Sequence, residues 1–330
     1  MTKSKASDLA AEYERRAPDY KKLVEEVQFG LATRLKDAAV TIAATEGRVK
    51  PLGSFLEKIE RKAYKQAWDE IDDVAGIRLV CLFSTDLDVI EDAIRSLFDV
   101  ISSENKTESL GVERMGYQGR HYVVTLARNH TGPRYDNLNN LRAEIQVRTT
   151  LQDAWARISH NLVYKSEASM PVQLRREIQN VSSLLEIAQN IFDRSESSRK
   201  QYITDVQKSA SNVNQLLSQP IDRETLEAYT TRNYPRLPVD HRIQELLLRD
   251  LNQAKYTTLA DIDDAVQAAE SAVASYKVEN PDWFKAGTDF ITKSLGFFDP
   301  EFRRVHPFGK QTLDAFERHE KKVAKPKRAD

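Results

Sequence analysis

The sequence predicts an α/β region in the first half of the chain and an almost entirely helical region in the second. In the first half, short apolar runs with strand character alternate with segments of helical periodicity. From residue 151 onward, apolar residues recur mainly at helical spacing. Strands that alternate with helices form a sheet that helices cover, so we expect an α/β domain over residues 1–166 and an all-α region over residues 167–330.

The individual elements follow from local patterns along the chain. Helical spacing over residues 8–46 predicts one or two helices, and Pro51 and Gly53 then interrupt the pattern, which places residues 48–53 in a loop. The later predictions are a helix at 54–68, a strand at 77–83, a helix at 86–98, a weak strand from 100, strands at 122–127 and 143–147, and helices at 151–215, 222–230, 240–253 and 259–276.

Composition excludes several classes of protein. The chain has 49 Lys and Arg against 50 Asp and Glu, so its net charge of -1 by itself says nothing about partners. We expect no DNA partner. Cys81 is the only cysteine, which excludes an intramolecular disulfide and a multi-cysteine zinc site. The sequence shows neither a signal peptide nor a run of about 18 apolar residues, so we expect a cytoplasmic protein with no membrane partner.

The strand around residues 143–147 carries polar side chains at alternate positions. Glu144, Gln146 and Arg148 would point to one face of the sheet, while Ile145 and Val147 would point into the core. Three polar groups on one face of a buried strand are costly unless they bind something. The pattern therefore predicts a binding site on this face.

A second carboxylate group precedes the first predicted strand. Asp72 and Asp73 lie just before it, and neighbouring residues alternate in facing, so only one of them can point inward. Together with Glu144, that residue could bind Mg²⁺, which prefers oxygen ligands, or accept a proton from an attacking hydroxyl. An Asp before a strand is also a common turn residue.

Cations and a hydroxyl are concentrated between residues 48 and 62. These residues are Arg48, Lys50, Ser54, Lys58, Arg61 and Lys62. Near a helix N-terminus, such groups suit a polyphosphate, although a solvated basic helix face would carry the same residues. Further along, Tyr117 stands between two glycines and could present its ring to a base, and His121 could contact phosphate.

In this order, the motifs resemble the synthetase domain of the RelA/SpoT family over roughly residues 20–195. The matching residues are Arg48, Lys50, Ser54, Lys58, Arg61 and Lys62; Asp73 to Arg78; Gly116, Tyr117 and His121; Glu144 to Thr149; Trp155, Ala156 and His160; and Tyr164 and Lys165. The resemblance implies a nucleotidyltransferase-like mixed sheet flanked by helices. It also implies transfer of pyrophosphate from ATP to the ribose 3′-hydroxyl of GDP or GTP, which makes (p)ppGpp.

The resemblance also implies a role for each site residue. The ATP-binding residues would be Arg48, Lys50, Ser54, Lys58, Arg61 and Arg78, with the two arginines Arg48 and Arg78 clamping the adenine. Asp73 and Glu144 would bind Mg²⁺ and act in catalysis, with Glu144 activating the hydroxyl. The acceptor pocket would be formed by Tyr117, His121, Gln146 and Arg148, while Trp155, His160 and Tyr164 would pack around the site.

One departure from the family pattern leaves the acceptor open. Glu113 stands where many relatives carry a lysine, and it would repel a 5′-diphosphate. Two alternatives follow: a toxic relative that modifies the tRNA 3′ end or adenine nucleotides, and an inactive module that senses alarmone. An RNA acceptor could contact the basic C-terminal residues Lys321, Lys322, Lys325, Lys327 and Arg328.

The helical C-terminal region carries no chemical motif of its own. The sequence leaves no room for the family's hydrolase domain, so the resemblance implies a synthetase that cannot degrade its product. We therefore expect residues 167–330 to regulate the catalytic domain, within the chain or through a partner. Homo-oligomers occur among relatives and are a further expectation.

Overall fold

A computed structural model describes residues 3–105, 119–162 and 171–324 of the chain. The chain divides into two compact units, unit 1 (Met1–Glu196) and unit 2 (Ser197–Asp330). The domain boundary predicted after residue 166 lies outside the described residues and stays a prediction.

A five-stranded mixed sheet forms the centre of unit 1. Its strands are β1 (Ile42–Val49), β2 (Ala75–Cys81), β3 (Phe98–Asn105), β4 (Arg120–Leu126) and β5 (Ala143–Thr149). The order across the sheet is β1-β2-β5-β4-β3, in which β2 and β5 are parallel and every other neighbouring pair is antiparallel. The predicted mixed sheet with flanking helices is confirmed.

Strand β1 was missed by the sequence analysis. The predicted helices over residues 8–46 end earlier, because helix α1 spans Lys3–Asp37 and β1 follows it. Arg48 therefore lies in a strand, and the prediction that it lies in a loop is wrong. β1 is an edge strand whose interior residues are all exposed, so it lacks the apolar alternation that identifies a half-buried strand.

Helices cover the apolar face of the sheet and connect its strands. The helices that begin in unit 1 after α1 are α2 (Leu52–Lys62), α3 (Ala67–Glu70), α4 (Asp86–Leu97), α5 (Thr150–Leu162) and α6 (Val172–Ser209). The buried residues Ile77, Tyr122 and Ile145 belong to the same apolar core as Val27 of α1 and Ile90 of α4. Burial of this face leaves the opposite face of the sheet available for polar side chains.

Unit 2 is helical, as predicted. Its further helices are α7 (Val213–Leu217), α8 (Arg223–Asn233), α9 (His241–Gln253), α10 (Leu259–Ala268), α11 (Glu270–Glu279), α12 (Gly287–Phe298), α13 (Pro300–Val305) and α14 (Lys310–His319). Thr258 is the N-cap of α10, and Asp261 in the first turn accepts hydrogen bonds from the N–H groups of Thr257 and Thr258. Phe284, Phe297 and Phe302 are buried, while Trp283 is partly exposed.

In the described part of the chain, every helix is too short or too polar to cross a lipid bilayer.

The core of unit 1 supplies a stability prediction with a matched control. Ile145 is fully buried in β5, whereas Ile101 in β3 is 52% exposed. Ile145→Ala leaves a cavity and should lower the free energy of unfolding by about 2–5 kcal/mol, whereas Ile101→Ala should change it by about 0.5 kcal/mol or less. Urea unfolding followed by tryptophan fluorescence measures both values. Equal losses in the two variants would contradict the position of β5 in the core.

Candidate active site

The polar face of the sheet is built on β5, whose side chains alternate as the sequence predicted. Ala143, Ile145 and Val147 are fully buried, while Glu144, Gln146 and Arg148 retain partial exposure on the other face. The side chains of Glu144 and Arg148 are 20% and 13% exposed. These polar groups are therefore largely removed from water and must find partners within the protein.

Strand register places the other predicted residues beside them. Across the parallel pair, Gly76 lies opposite Glu144 and Arg78 lies opposite Gln146. His121 of β4 also lies opposite Gln146. On β1, Arg48 lies opposite Gly76, so all of these residues share one face of the sheet. The cavity on this face is lined by Glu46, Gly47, Arg48, Asp73, Gly76, Ile77, Arg78, Glu144 and Gln146.

Asp73 is held between two lysines at one end of this cavity. Its Oδ2 lies 2.9 Å from Lys50 Nζ, and its Oδ1 lies 2.9 Å from Lys58 Nζ. The backbone of Lys50 is fixed as well, because its N–H donates to the Val74 carbonyl at 2.8 Å and its carbonyl accepts from the Tyr13 hydroxyl. Two cations and a carboxylate thus stand preassembled where an anionic ligand would enter.

The neighbouring Asp72 is used differently. Its Oδ1 accepts a hydrogen bond from Arg142 Nη1 at 2.9 Å, and Asp72 does not line the cavity. Arg142 also donates to the Asp69 carbonyl at 2.8 Å. Of the two aspartates that the sequence left open, Asp73 is the one that faces the cavity.

Glu144 accepts hydrogen bonds from both sides. His121 Nδ1 lies 2.8 Å from its Oε1, and Gln146 Nε2 donates to its Oε2 at 3.0 Å. Burial alone would raise the pKa of Glu144, but these bonds and the charges of His121 and Lys58 lower it to about 2. The carboxylate is therefore ionised at neutral pH and held in a single orientation.

His121 reaches Glu144 because β4 begins very close to β5. At Gly119, the residue before β4, a Cβ atom would lie 2.2 Å from the Val147 carbonyl oxygen. Only glycine permits this approach. Gly119 thus serves a close contact between the backbones of β4 and β5.

An arginine cluster lies at the other end of the polar face and includes residues that the sequence analysis missed. Arg78 Nη1 donates to Glu46 Oε2 at 3.2 Å, and Arg157 Nη2 donates to Glu46 Oε1 at 2.5 Å. Asp153 of α5 accepts from Arg157 Nε at 2.6 Å. Glu46 was missed because its strand was missed. Asp153 and Arg157, four residues apart, could have been noticed as a pair on one helix face directly after β5.

The remaining predicted residues lie away from this geometry or outside the described residues. Ser54 and Arg61 are exposed on α2 and do not line the cavity, so their roles stay predictions. Trp155 is buried in α5. Outside the described residues lie Glu113, Gly116, Tyr117, Tyr164, Lys165, Lys325, Lys327 and Arg328, together with the side chain of His160.

The carboxylates of this cavity fit a magnesium ion that arrives with a nucleotide. Asp73 and Glu144 both line the cavity, and among the described residues no group of three or more acidic, His or Cys side chains could hold a metal alone. Mg²⁺ commonly takes one or two carboxylates and completes its coordination with water and substrate phosphates. Two carboxylates beside two lysines match that requirement.

Comparison with known proteins agrees with this fold. A family described as "Region found in RelA / SpoT proteins" matches residues 47–169. Two curated proteins of Bacillus subtilis (strain 168) are similar. GTP pyrophosphokinase YjbM is 28% identical over 178 residues, covering 52% of this chain and 82% of the relative. GTP pyrophosphokinase YwaC is 28% identical over 147 residues, covering 43% and 68%.

A solved structure supports the fold alone. The "Structure of a GTP Pyrophosphokinase Family Protein from Streptococcus pneumoniae" covers 58% of this chain and 96% of its own, with 23% identity and a TM-score of 0.50. The five-stranded mixed sheet with flanking helices is therefore a fold that solved GTP pyrophosphokinase family structures share. The match to the region found in RelA / SpoT proteins ends at residue 169, within unit 1.

The environment of Glu144 predicts that the free energy of unfolding depends on pH. Because its pKa is lowered from 4.5 to about 2, Glu144 stabilises the fold above pH 4.5, and this contribution is lost as the pH falls from 4.5 through 2. Wild type should therefore exceed Glu144→Gln in free energy of unfolding by about the same amount at pH 7 and 5. The difference should shrink by roughly 1–3 kcal/mol toward pH 2.5. Urea unfolding at each pH measures it, and a constant difference would contradict the lowered pKa.

Proposed function

We propose that the protein is an ATP-dependent pyrophosphokinase that transfers the β,γ-pyrophosphate of ATP to the ribose 3′-hydroxyl of GDP or GTP. One observation carries the proposal. Asp73 and Glu144 line the same cavity as Arg48 and Arg78. Lys50 and Lys58 form ion pairs with Asp73 at this cavity. The similarity to two proteins named GTP pyrophosphokinase supports this reading of the cavity.

The donor would bind at the end of the cavity formed by β1 and β2. Arg48 and Arg78 lie on neighbouring strands of one face, where their planar guanidinium groups can pack against an adenine. Lys50 and Lys58 would exchange part of their pairing with Asp73 for the phosphates. Each lysine would keep an anionic partner, because a phosphate oxygen would take the place of the Asp73 carboxylate.

The acceptor hydroxyl would approach Glu144. In the balanced step, the 3′-oxygen forms a bond to the β-phosphorus while the bond from that phosphorus to the α,β-bridging oxygen breaks and AMP leaves. The hydroxyl proton passes to a Glu144 oxygen and then to solvent. A carboxylate with a pKa near 2 is a weak base, so Glu144 contributes mainly by orienting the hydroxyl, with His121 and Gln146 holding it in place.

A bound Mg²⁺, held by Asp73 and Glu144, would neutralise charge on the transferring phosphates.

The acceptor is tested directly by product analysis. Full-length protein, γ-labelled ATP and Mg²⁺ are incubated in parallel with GDP, GTP, AMP, ATP and deacylated tRNA. We expect label in a guanosine product. Label on tRNA or on an adenine nucleotide would support pyrophosphate transfer but show a different acceptor, the alternative that Glu113 raises. Absence of label from every product would contradict the proposed reaction.

Neighbouring aspartates provide a matched pair of variants for the catalytic role. Asp73→Asn removes a carboxylate from the cavity and should lower kcat about 10²–10³-fold. Asp72→Asn removes the same charge one residue away, where it pairs with Arg142, and should change kcat less than about threefold. Steady-state assays with ATP and GDP compare the two. Similar losses in both variants would contradict the assignment of Asp73.

A further inference from the structure

Asp153 lies in the first turn of α5, which begins directly after β5. Its side chain is 11% exposed and stands among three arginines. Asp153 Oδ1 lies 3.5 Å from Arg78 Nε and 3.7 Å from Arg148 Nη1, while Oδ2 accepts from Arg157 Nε at 2.6 Å. One carboxylate group thus faces the guanidinium groups of two different strands.

The two arginines belong to different halves of the polar face. Arg78 lines the cavity on the side of β1 and β2, where the donor would bind. Arg148 donates to Gln146 Oε1 at 3.3 Å, and Gln146 in turn donates to Glu144. Asp153 therefore connects the donor side of the face to the hydrogen-bonded residues on the acceptor side.

Charge makes this carboxylate necessary. Burial lowers the pKa of Arg148, and the positive charge of Arg78 lowers it further. Two guanidinium groups this close repel each other unless an anion stands between them. Without Asp153, each arginine would turn away from the other and leave its position on the polar face.

The contact also leaves the arginines able to adjust. In the described part of the chain, Arg78 Nε, Arg148 Nε and Asp153 Oδ1 are buried without a hydrogen-bond partner. The distances of 3.5 and 3.7 Å from Asp153 Oδ1 are longer than those of well-formed hydrogen bonds between charged groups. The attraction is thus mainly electrostatic, and it restrains both guanidinium groups without locking either.

We propose that Asp153 is a positioning residue shared by the donor and acceptor sites, so that one carboxylate sets the guanidinium groups that hold both nucleotides. This assignment rests on the proposed function. In this role, Asp153 contacts neither the reacting atoms nor a nucleotide. Its effect on both substrates passes through Arg78 and Arg148.

The competing explanation is that Asp153 only stabilises α5. An acidic residue in the first turn stabilises a helix, and so does the i,i+4 pair of Asp153 with Arg157. Arg157→Gln removes that pair and the hydrogen bond from Arg157 to Glu46, and it leaves Asp153 in place. Asp92, an exposed residue of α4, provides the matched control, since Asp92→Asn removes the same charge elsewhere.

The test measures binding of each nucleotide separately to full-length protein by calorimetry, with Mg²⁺ and with α,β-methylene-ATP or GDP as the probe. Asp153→Asn should weaken both nucleotides about tenfold, the loss typical of a disturbed charged contact. Asp153→Glu should recover part of each affinity. Asp92→Asn should change neither by more than about twofold. Arg157→Gln also removes a partner of the cavity residue Glu46, and it should weaken each nucleotide less than Asp153→Asn does. With both substrates saturating, kcat of Asp153→Asn should stay within about threefold of wild type, since Asp153 does not contact the reacting atoms.

The outcomes separate this assignment from the proposed function. If wild type binds both nucleotides but Asp153→Asn weakens the binding of only one of them, or of neither, the shared role is overturned. Equal weakening by Arg157→Gln, with a lowered unfolding temperature in both variants, would assign Asp153 to helix stability and also overturn it. Wild type that bound neither nucleotide would overturn the proposed function and this assignment with it.

Discussion

The parallel pairing of β2 with β5 sets the positions of the central side chains of the cavity. This pair lies at the centre of the sheet, and its register places Gly76 beside Glu144 and Arg78 beside Gln146. The absence of a side chain at Gly76 leaves space above the sheet between Arg48 and Glu144. A shift of one residue would turn Glu144 into the core and expose Ile145, so the buried apolar face enforces the polar one.

Electrostatic balance is the second constraint on this face. Each of the carboxylates Asp73, Glu144 and Asp153 is largely buried and has a positively charged or hydrogen-bonding neighbour. A buried charge without such a neighbour would be strongly destabilising. The pairs also keep the charged groups in position, so in the proposed function a nucleotide would exchange partners with the site and would not have to assemble it.

The sequence predicted the central part of this site from local rules. The two-residue period of a strand was enough to place Glu144, Gln146 and Arg148 on one face, because that alternation depends only on backbone geometry. It failed at β1, whose exposed edge position removes the apolar pattern. The choice between Asp72 and Asp73 also stayed open, since a lead-in to a strand has no fixed facing.

By itself, the sequence determined the α/β and helical halves, the polar face of β5 and the residue types that the proposed nucleotide and Mg²⁺ site would need. These features follow from periodicity and side-chain chemistry within short segments. Only the tertiary structure decided that Asp73 faces the cavity and that Asp153 meets both Arg78 and Arg148. Asp153 and Arg78 are 75 positions apart along the chain, and their contact depends on strand register and helix packing that no local pattern encodes.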